Sequence, residues 1–373
     1  MYAVRELARA GGRVLGIDAR HGCAQHSNQV QEHWRIADSD ELLARLSALR
    51  ASQSTPPVLL PTSDHYIEFV AQNATTLRDQ FRFASCYSDV ATVLLDKQQF
   101  HQLCQRHGLD TPQVWQAQDR TELDAVIDEI CYPCILKPAL IHRARVHLRG
   151  NKVLLARSRR ELIEVFARLP DDVGGWLIQE VIPGTESNIT LFAGYVNQAG
   201  EMQQAFTARK LRQYPPGFGS ASLVESAVCP ETARLSIDFL RAIGFRGVCG
   251  TEFKRDPRDG RLKIIEINPR PTLWFQLSHD ANKRIVEAAW RDLSGLAVPE
   301  DRPQREDVQW RYALKDVASA WFYFRHRDFV FPAPETTASN RAQRKSWAVF
   351  DWRDPLPTLA EPLAYLYKSV WGR

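Results

Sequence analysis

The sequence lacks long apolar runs. No run of apolar residues approaches the ~18 that a membrane-spanning helix needs. The amino terminus also lacks the charged stretch and apolar core that direct secretion. From these absences we expect a cytoplasmic location.

The cysteines are few, and they are not arranged for disulfides or for zinc. Seven cysteines, an odd number, lie far apart in the chain, whereas a disulfide framework uses paired cysteines. Cys131 and Cys134 form one C-x-x-C pair with no second pair to complete a zinc site. Because Cys134 begins an apolar stretch, core packing explains the pair better than metal or redox chemistry.

The chain also has little excess charge. Its net charge is +4 over 373 residues, and no basic cluster interleaved with aromatic residues marks a nucleic-acid surface. We therefore expect no nucleic-acid partner and favour a small anionic ligand. The length predicts two or three domains with ample cores.

The most informative segment spans residues 250–271 and reads as strand, turn and strand. If Glu252 lies opposite Glu266, residues 257–261 form the turn, where Asp, Pro and Gly are typical. The alternation of side chains along a strand then predicts two faces. The polar face carries Glu252, Lys254, Glu266 and Asn268. The apolar face carries Phe253, Ile265 and Ile267.

Glutamate and asparagine are poor strand residues, so their place on one face calls for a chemical explanation. Two carboxylates and an amide carbonyl are the hard oxygen ligands that Mg²⁺ takes in sites shared with substrate phosphates. We therefore interpret Glu252, Glu266 and Asn268 as metal ligands. The alternative is an ordinary solvated face of a hairpin.

This hairpin, with its Glu-Ile-Asn-Pro-Arg run over residues 266–270, resembles the metal-binding strands of the ATP-grasp superfamily. Residues 94–295 carry the resemblance, which is to the carbamoyl-phosphate-synthase-like carboxylate-amine ligase branch. It implies that the chain binds ATP with two Mg²⁺ ions, or Mn²⁺ in their place, and phosphorylates a small-molecule carboxylate. An amine substrate then attacks the acyl phosphate, and an amide, ADP and phosphate result.

The resemblance also implies a fold class and three segments. The class is α/β: an α+β ATP-grasp domain over residues 94–298 follows a small parallel α/β pre-ATP-grasp domain over residues 1–93. Helical spacing begins at Tyr2 and the first strand follows at residues 13–18, so we expect the usual opening strand to be missing or truncated. An aromatic-rich extension occupies residues 299–373.

Three lysines are expected, from the resemblance, to contact the nucleotide phosphates. They are Lys97 at a helix start, Lys137 at the end of an apolar strand, and Lys152. Pro138 fixes the backbone after Lys137, so rigid structure aims that charge. Between Lys137 and Lys152 the family's usual glycine-rich flap is replaced by an arginine-rich segment. Its arginines could face the phosphates, a second anionic substrate, or only water.

The strand at residues 176–182 resembles the adenine-binding hinge of the family. The resemblance implies that Gln179 and Glu180 face the N6 side of the base and that the amide of Ile182 donates to it. Glu186 would accept hydrogen bonds from the ribose hydroxyls. Without the resemblance, the same residues form only a strand followed by a Pro-Gly turn.

Arg270 is the predicted main catalytic side chain. Pro269 and Pro271 restrict its backbone, which would hold its guanidinium ready for an acyl phosphate or an oxyanion. Arg209 or Lys210 precedes a Pro/Gly loop of the kind that acts as a lid. From the resemblance, we expect one of them to neutralise the transferring phosphoryl group.

Two further groups are candidates for contacts with the carboxylate or acceptor substrate. The polar run at residues 62–64 follows an apolar segment, which fits either ligand contacts beyond a strand end or the N-cap of a helix. Arg212 and Tyr214 could touch the carboxylate, and solvated loop residues are an equal alternative.

The carboxyl-terminal extension has an alternative for its own role. Its aromatic residues lie beside basic ones, as in an interfacial membrane patch. Packing against the ligase domain, or a homodimer contact, is the favoured interpretation.

The function also has alternatives. One is a carboxylase or kinase-like enzyme that phosphorylates bicarbonate or another small acid. Another is an ATP-binding regulatory subunit without turnover. The complete set formed by the proposed metal ligands and Arg270 favours the ligase.

Overall fold

Three β-sheets organise the part of the chain that the structure describes. The computed structural model describes residues 1–19, 22–138, 153–169, 176–333 and 344–362. The strands are β1 (Leu15–Asp18), β2 (Glu32–Arg35), β3 (Val114–Ala117), β4 (Cys134–Pro138), β5 (Leu154–Ala156), β6 (Trp176–Glu180), β7 (Ile189–Val196), β8 (Met202–Tyr214), β9 (Ser220–Ser226), β10 (Gly247–Arg255), β11 (Leu262–Asn268), β12 (Val308–Arg311) and β13 (Arg344–Trp347). They form sheets of the order β1-β2, β3-β6-β4-β5 and β11-β10-β7-β8-β9-β12-β13.

Helices cover these sheets, and several begin at a capping side chain. They are α1 (Tyr2–Arg9), α2 (Ser39–Ala51), α3 (Asp64–Gln72), α4 (Ala74–Arg78), α5 (Val90–Leu95), α6 (Lys97–Arg106), α7 (Arg120–Val126), α8 (Arg159–Phe166), α9 (Pro230–Ala242), α10 (Gln276–Asp280), α11 (Ile285–Leu293) and α12 (Ala313–Arg325). Asp38, Asp96 and Asp119 each accept a hydrogen bond from a backbone amide in the first helical turn, which satisfies donors that a helix start leaves unpaired. No described helix is long and apolar enough to cross a bilayer.

The first part of the chain confirms the predicted helix followed by a strand. α1 ends at Arg9, Gly11 adopts a φ of 88°, and β1 pairs in parallel with β2. The apolar segment at residues 57–61 is reduced to one parallel bridge between Val58 and Arg82. The small first sheet therefore has only β1 and β2 among the described residues.

The four-stranded sheet is antiparallel and turns one face to helices and the other to a cleft. Leu136 and Ile178 lie in a buried cluster with residues of α7 and α8. Because side chains alternate along a strand, the neighbours Lys137 and Gln179 face the opposite way. Both line the cleft between this sheet and the larger one.

The seven-stranded sheet separates two cores. Phe192 and Phe253 pack with residues of the amino-terminal segment on one face, and Leu191 packs with residues of α10 and α11 on the other. β12 pairs with β9, and β13 continues the sheet in parallel with β12. The extension after residue 298 therefore completes this sheet, so the predicted boundary there does not separate two independent sheets.

Candidate nucleotide and metal site

A cleft of about 540 Å³ lies between the four-stranded and seven-stranded sheets. Strands of both sheets line it, together with the start of α6. The structure brings most of the predicted site residues to this one cavity: Lys97, Lys137, Gln179, Glu180, Ile182, Glu252, Glu266, Asn268 and Arg270. Lys152 and the arginines between it and Lys137 lie outside the described residues.

The hairpin formed by β10 and β11 places the proposed metal ligands. Glu252 lies opposite Glu266, as predicted, but the next pair is Phe253 with Ile264. Ile265 is thus an extra residue in β11, and such a bulge changes which face the following side chain takes. Ile264 joins Phe253 in the core. The prediction that Ile265 shares that face was wrong, because Ile265 packs with the cluster on the other side of the sheet.

The oxygens on the cleft side of the hairpin suit a divalent cation. The carboxylate of Glu252 contacts only Lys210 among the described side chains, and neither Glu266 nor Asn268 makes a side-chain hydrogen bond to any described residue. No group of three or more His, Cys, Asp or Glu side chains forms a metal cage in these residues. Two carboxylates and one amide oxygen instead match Mg²⁺, which takes its other ligands from phosphates and water.

Lys210 and Arg209 have different environments, although both were candidates for the same role. Lys210 is 1% exposed, and its Nζ contacts Glu252 and lies 3.4 Å from Gln213 Oε1. Arg209 points to the other face of β8, where it is half exposed and pairs with Glu225. The structure therefore keeps Lys210 beside the proposed metal ligands and turns Arg209 to the other face of β8, so of the two predicted residues Lys210 is the one near the hairpin.

Two predicted phosphate lysines lie across the cleft from the hairpin. Lys137 extends from β4, and its Nζ donates to Gln179 Oε1 at 3.0 Å. Lys97 is the first residue of α6, directly after the capping Asp96. Both line the same cavity, one from a strand and the other from the start of a helix.

The hinge after β6 has an open backbone donor. Among the described residues, the amide of Ile182 has no hydrogen-bond acceptor, whereas the preceding amide of Val181 donates to Pro133 O at 3.0 Å. The carbonyl of Ile182 accepts from Lys254 Nζ at 2.8 Å. The hinge therefore offers one free N–H to a ligand in the cleft.

Glu180 lines the cleft, and its side chain is bound within the protein. Its carboxylate is 2% exposed and accepts from the amide of Gln113 at 3.0 Å, from Arg258 at 2.7 Å and from Lys263 at 3.3 Å. The same basic side chains hold Asp256, and hydrogen bonding to Arg258 holds the pKa of Asp256 well below its usual range. This cluster ties the turn of the hairpin to β6.

Glu186 is also turned into the protein. It is fully buried, and its two oxygens accept from the amides of Gln213 at 3.0 Å and Gly217 at 2.7 Å and from the hydroxyl of Tyr323 at 2.8 Å. Burial raises the pKa of Glu186. Three protein donors occupy this carboxylate, so the structure gives no support to the predicted ribose contact and makes Glu186 a brace between the β8–β9 loop and α12.

Lys254 also lines the cleft. It was predicted to lie on the polar face of the hairpin, but no function was predicted for it. Its Nζ donates to the carbonyls of Ile182 at 2.8 Å and Gly184 at 3.1 Å, and it lies 3.8 Å from the ring centroid of Phe331. Burial lowers the pKa of Lys254 to about 7. The alternation of side chains along the strand predicted that Lys254 lies on the same face as Glu252. It did not predict the partners of Lys254, which come from distant parts of the chain.

Arg270 contacts the amino-terminal segment. Its Nε donates to Asp64 Oδ1 at 2.6 Å, and Asp64 opens α3 at the rim of the cleft. The preceding Ser63 makes no capping hydrogen bond. Asp64 therefore lines the cleft, and Ser63 occupies the N-cap position of α3. Arg212, by contrast, is not among the described residues that line the cleft, and its guanidinium makes two hydrogen bonds to Asp316.

The fold is shared with enzymes of known structure. An ADP complex of N5-carboxyaminoimidazole ribonucleotide synthetase matches with a TM-score of 0.62 and 16% identity, over 82% of this chain and 77% of that one. The biotin carboxylase domain of a Hydrogenobacter thermophilus 2-oxoglutarate carboxylase, in complex with MgADP, ADP and bicarbonate, matches with a TM-score of 0.60 and 16% identity, over 82% and 70% of the two chains. Identities this low show the fold alone.

Sequence relatives point the same way. D-aspartate ligase of Enterococcus faecium is 24% identical over 242 residues, which cover 62% of this chain and 57% of the relative. D-alanine–D-alanine ligase of Cupriavidus metallidurans is 25% identical over 189 residues, which cover 48% and 56%. The chain is thus similar in sequence to carboxylate-amine ligases over part of its length. No family model matches it.

The matches to the ligases are partial. The carbamoyl phosphate synthase large chain of Archaeoglobus fulgidus is 25% identical over 294 residues, which cover 72% of this chain and 25% of that protein. Each matched region thus spans little more than half of the ligases and a quarter of the synthase.

Proposed function

We propose that the chain is an ATP-dependent ligase that activates a carboxylate as an acyl phosphate and couples it to an amine, with release of ADP and phosphate. One observation carries the proposal. The two lysines, Lys97 and Lys137, face a hairpin whose Glu266 and Asn268 oxygens have no described protein partner, and Arg270 lies at the rim of the same cleft. A nucleotide phosphate chain would complete this arrangement of charges.

The residues divide into those that bind and those that act. Lys97 and Lys137 would hold the phosphates as point charges, and the free amide of Ile182 would read the base edge. Mg²⁺, held by Glu252, Glu266 and Asn268, would neutralise phosphate charge as it develops. We propose two such ions, with Mn²⁺ able to replace them.

The reaction has two steps. An oxygen of the substrate carboxylate attacks the γ-phosphorus, the bond to the β-phosphate oxygen breaks, and ADP leaves. The amine nitrogen then attacks the acyl carbon, and phosphate leaves as the nitrogen loses a proton. Arg270 would stabilise the negative charge that appears on the acyl phosphate and on the tetrahedral intermediate.

The contact of Arg270 with Asp64 indicates where the substrates meet. The guanidinium has donors beyond the one given to Asp64, so the substrate carboxylate could bind Arg270 beside this pair. Asp64 would then lie close to the incoming amine. We therefore propose that the acid and the amine bind between the amino-terminal segment and the loop after β11.

The acid itself is less constrained than the sequence suggested. The sequence offered arginines that could face an anionic substrate, but the guanidinium of Arg212 pairs with Asp316. The other arginines lie outside the described residues. We therefore propose only that the substrates are a small carboxylate and a small amine. The cytoplasm is the location that we propose for such an ATP-dependent reaction.

The test is ADP release in the presence of defined substrates. The purified chain is incubated with ATP, Mg²⁺ and paired panels of carboxylates and amines, and products are identified by mass. We expect ADP release to require an acid, because a closed site lacks another acceptor for the phosphoryl group. Rapid ATP hydrolysis without any acid would contradict the ligase.

Bicarbonate and an amine-free series are the control arms. ADP release with bicarbonate alone would favour the carboxylase alternative. ADP release with an acid but without an amide product would favour a kinase-like enzyme. Binding of nucleotide without turnover under every pairing would favour a regulatory subunit.

A further inference from the structure

Phe331 brings the carboxyl-terminal extension into the nucleotide cleft. Its ring is 4% exposed and lines the cavity beside Ile135, Val181 and Ile182. Ile135, Val181 and Phe331 form a small apolar cluster that is separate from the large cores. None of the roles assigned above to the lysines, the metal ligands or Arg270 explains an aromatic ring at this place.

The ring is held in position by close packing. Its centroid lies 5.4 Å from that of Phe218 and 6.0 Å from that of Phe329. Gly217 permits this approach, because a Cβ there would lie 2.8 Å from Phe331 Cδ2 and the φ of 81° favours glycine. A ring already fixed in this way loses little freedom when a ligand binds against it.

The segment that carries the ring is anchored to the central sheet. Arg212 of β8 binds Asp316 of α12 at 2.7 and 2.9 Å, and the hydroxyl of Tyr323 donates to Glu186 at 2.8 Å. Phe331 therefore belongs to the wall of the cleft. A loosely attached cover would not carry a buried ion pair to the sheet beneath it.

The position of the ring relative to the hinge indicates its ligand. Lys254 Nζ lies 3.8 Å from the ring centroid and donates to the carbonyl of Ile182. The amide of that same hinge residue is open to the cleft. A flat base that accepts from this amide would enter a slot with aliphatic side chains and an aromatic ring on its walls.

We infer that Phe331 stacks on the base of the bound nucleotide, so that the carboxyl-terminal extension supplies one face of the base pocket. The inference rests on the proposed function, which brings ATP to this cleft. Stacking of a base on an aromatic side chain is sequence-tolerant in nucleic-acid proteins and contributes strongly to affinity there. The same contact here would act on the base and leave the phosphates untouched.

The experiment compares two ligands on the full chain by calorimetry. One is the non-hydrolysable analogue AMP-PNP with Mg²⁺, and the other is inorganic tripolyphosphate with Mg²⁺, which has no base. For Phe331→Leu we expect a rise in the Kd of AMP-PNP of about tenfold, with Phe331→Tyr within about twofold of the wild type. The Kd of tripolyphosphate should stay within about twofold in both variants.

Phe324→Leu is the matched control, because Phe324 belongs to the same extension but is 64% exposed. It should bind both ligands as the wild type does. If Phe331→Leu binds AMP-PNP as tightly as the wild type, or if it loses both ligands equally, the stacking role is overturned while ATP binding stands. If the wild-type chain binds neither ligand, the proposed function fails, and this inference fails with it.

Discussion

Glu266 has the simplest environment among the proposed metal ligands. Its side chain is exposed and makes no hydrogen bond to a described residue, so Glu266→Gln should leave the fold unchanged. Because the change removes a charge at constant size, we expect turnover to fall about 10²- to 10³-fold, as when one charge-stabilising group is lost. Steady-state ADP release measures the effect.

Glu300→Gln is the matched control for that change, since Glu300 is an exposed glutamate in another loop. It should turn over at the wild-type rate, and both variants should unfold at the wild-type temperature. Equal ADP release by Glu266→Gln and the wild type would remove Glu266 from the metal site.

Lys137 and Arg270 should separate binding from chemistry. Lys137→Ala removes a ground-state phosphate contact, so we expect AMP-PNP to bind about 10- to 100-fold more weakly. Arg270→Ala should bind the analogue as the wild type does, yet lower kcat about 10²- to 10³-fold, because its charge acts on the transition state. Calorimetry and single-turnover rates measure the two quantities. An equal loss of affinity in both variants would reduce Arg270 to a binding residue.

Lys254 should make stability depend on pH. Burial lowers its pKa from 10.5 to about 7, so between these values the unfolded chain binds more protons than the folded chain. The free energy of unfolding should therefore rise with pH in this window, by at most about 1.4 kcal/mol per pH unit, and show no such slope below pH 7. Lys254→Met lacks the group. Urea unfolding at pH 7 and pH 9 should show that the free energy of unfolding rises with pH in the wild type and rises less in Lys254→Met. An equal rise in both proteins would count against a buried, titrating amine at Lys254.

At the scale of elements, α12 is joined to β8 by a buried ion pair. Asp316 is 3% exposed and accepts two hydrogen bonds from Arg212. Asp316→Ala would leave a buried guanidinium without its partner, so we expect it to lower the free energy of unfolding by about 3–5 kcal/mol. Asp238→Ala, which breaks only exposed pairs on α9, should cost less than about 0.5 kcal/mol. Chemical denaturation measures both, and equal costs would show that the Arg212–Asp316 pair does not anchor α12.

The bulge in the β10–β11 hairpin affects which side chains face the core. The pairing of Glu252 with Glu266 follows from a turn of suitable residues and from alternation along two strands. The extra residue, Ile265, lets Ile264 fill the core beside Phe253 without changing the register of the acidic pair. The strand thereby keeps its ligands in the cleft and its apolar residues in the core.

At the scale of the whole molecule, the cleft depends on two sheets and on the extension that closes it. A ligand held between them stabilises the folded chain by mass action. AMP-PNP with Mg²⁺, at about 100 times its Kd, should stabilise the wild type by about 2.7 kcal/mol. At the same ligand concentration, the ligand should raise the melting temperature of Lys137→Ala by less than that of the wild type. An identical rise in both proteins would show that the nucleotide binds elsewhere.

Local features of this protein can be predicted from the sequence alone. Alternation, turn residues and the spacing of the hairpin predicted that Glu252 faces Glu266, and the proline after Lys137 predicted the end of a strand. The resemblance supplied the fold. Each of these signals lies within about one element of the chain, where backbone geometry alone fixes which side chains share a face.

Which charged side chains are available to a ligand depends on how distant segments of the chain pack together. Glu186 is occupied by Tyr323, Arg212 is occupied by Asp316, and Phe331 enters the cleft from the far end of the chain. Buried charges must find partners, and those partners are chosen by how distant segments pack. Local patterns carry no record of that packing, so the braces and the aromatic wall of the site emerge only when the sheets and the extension come together.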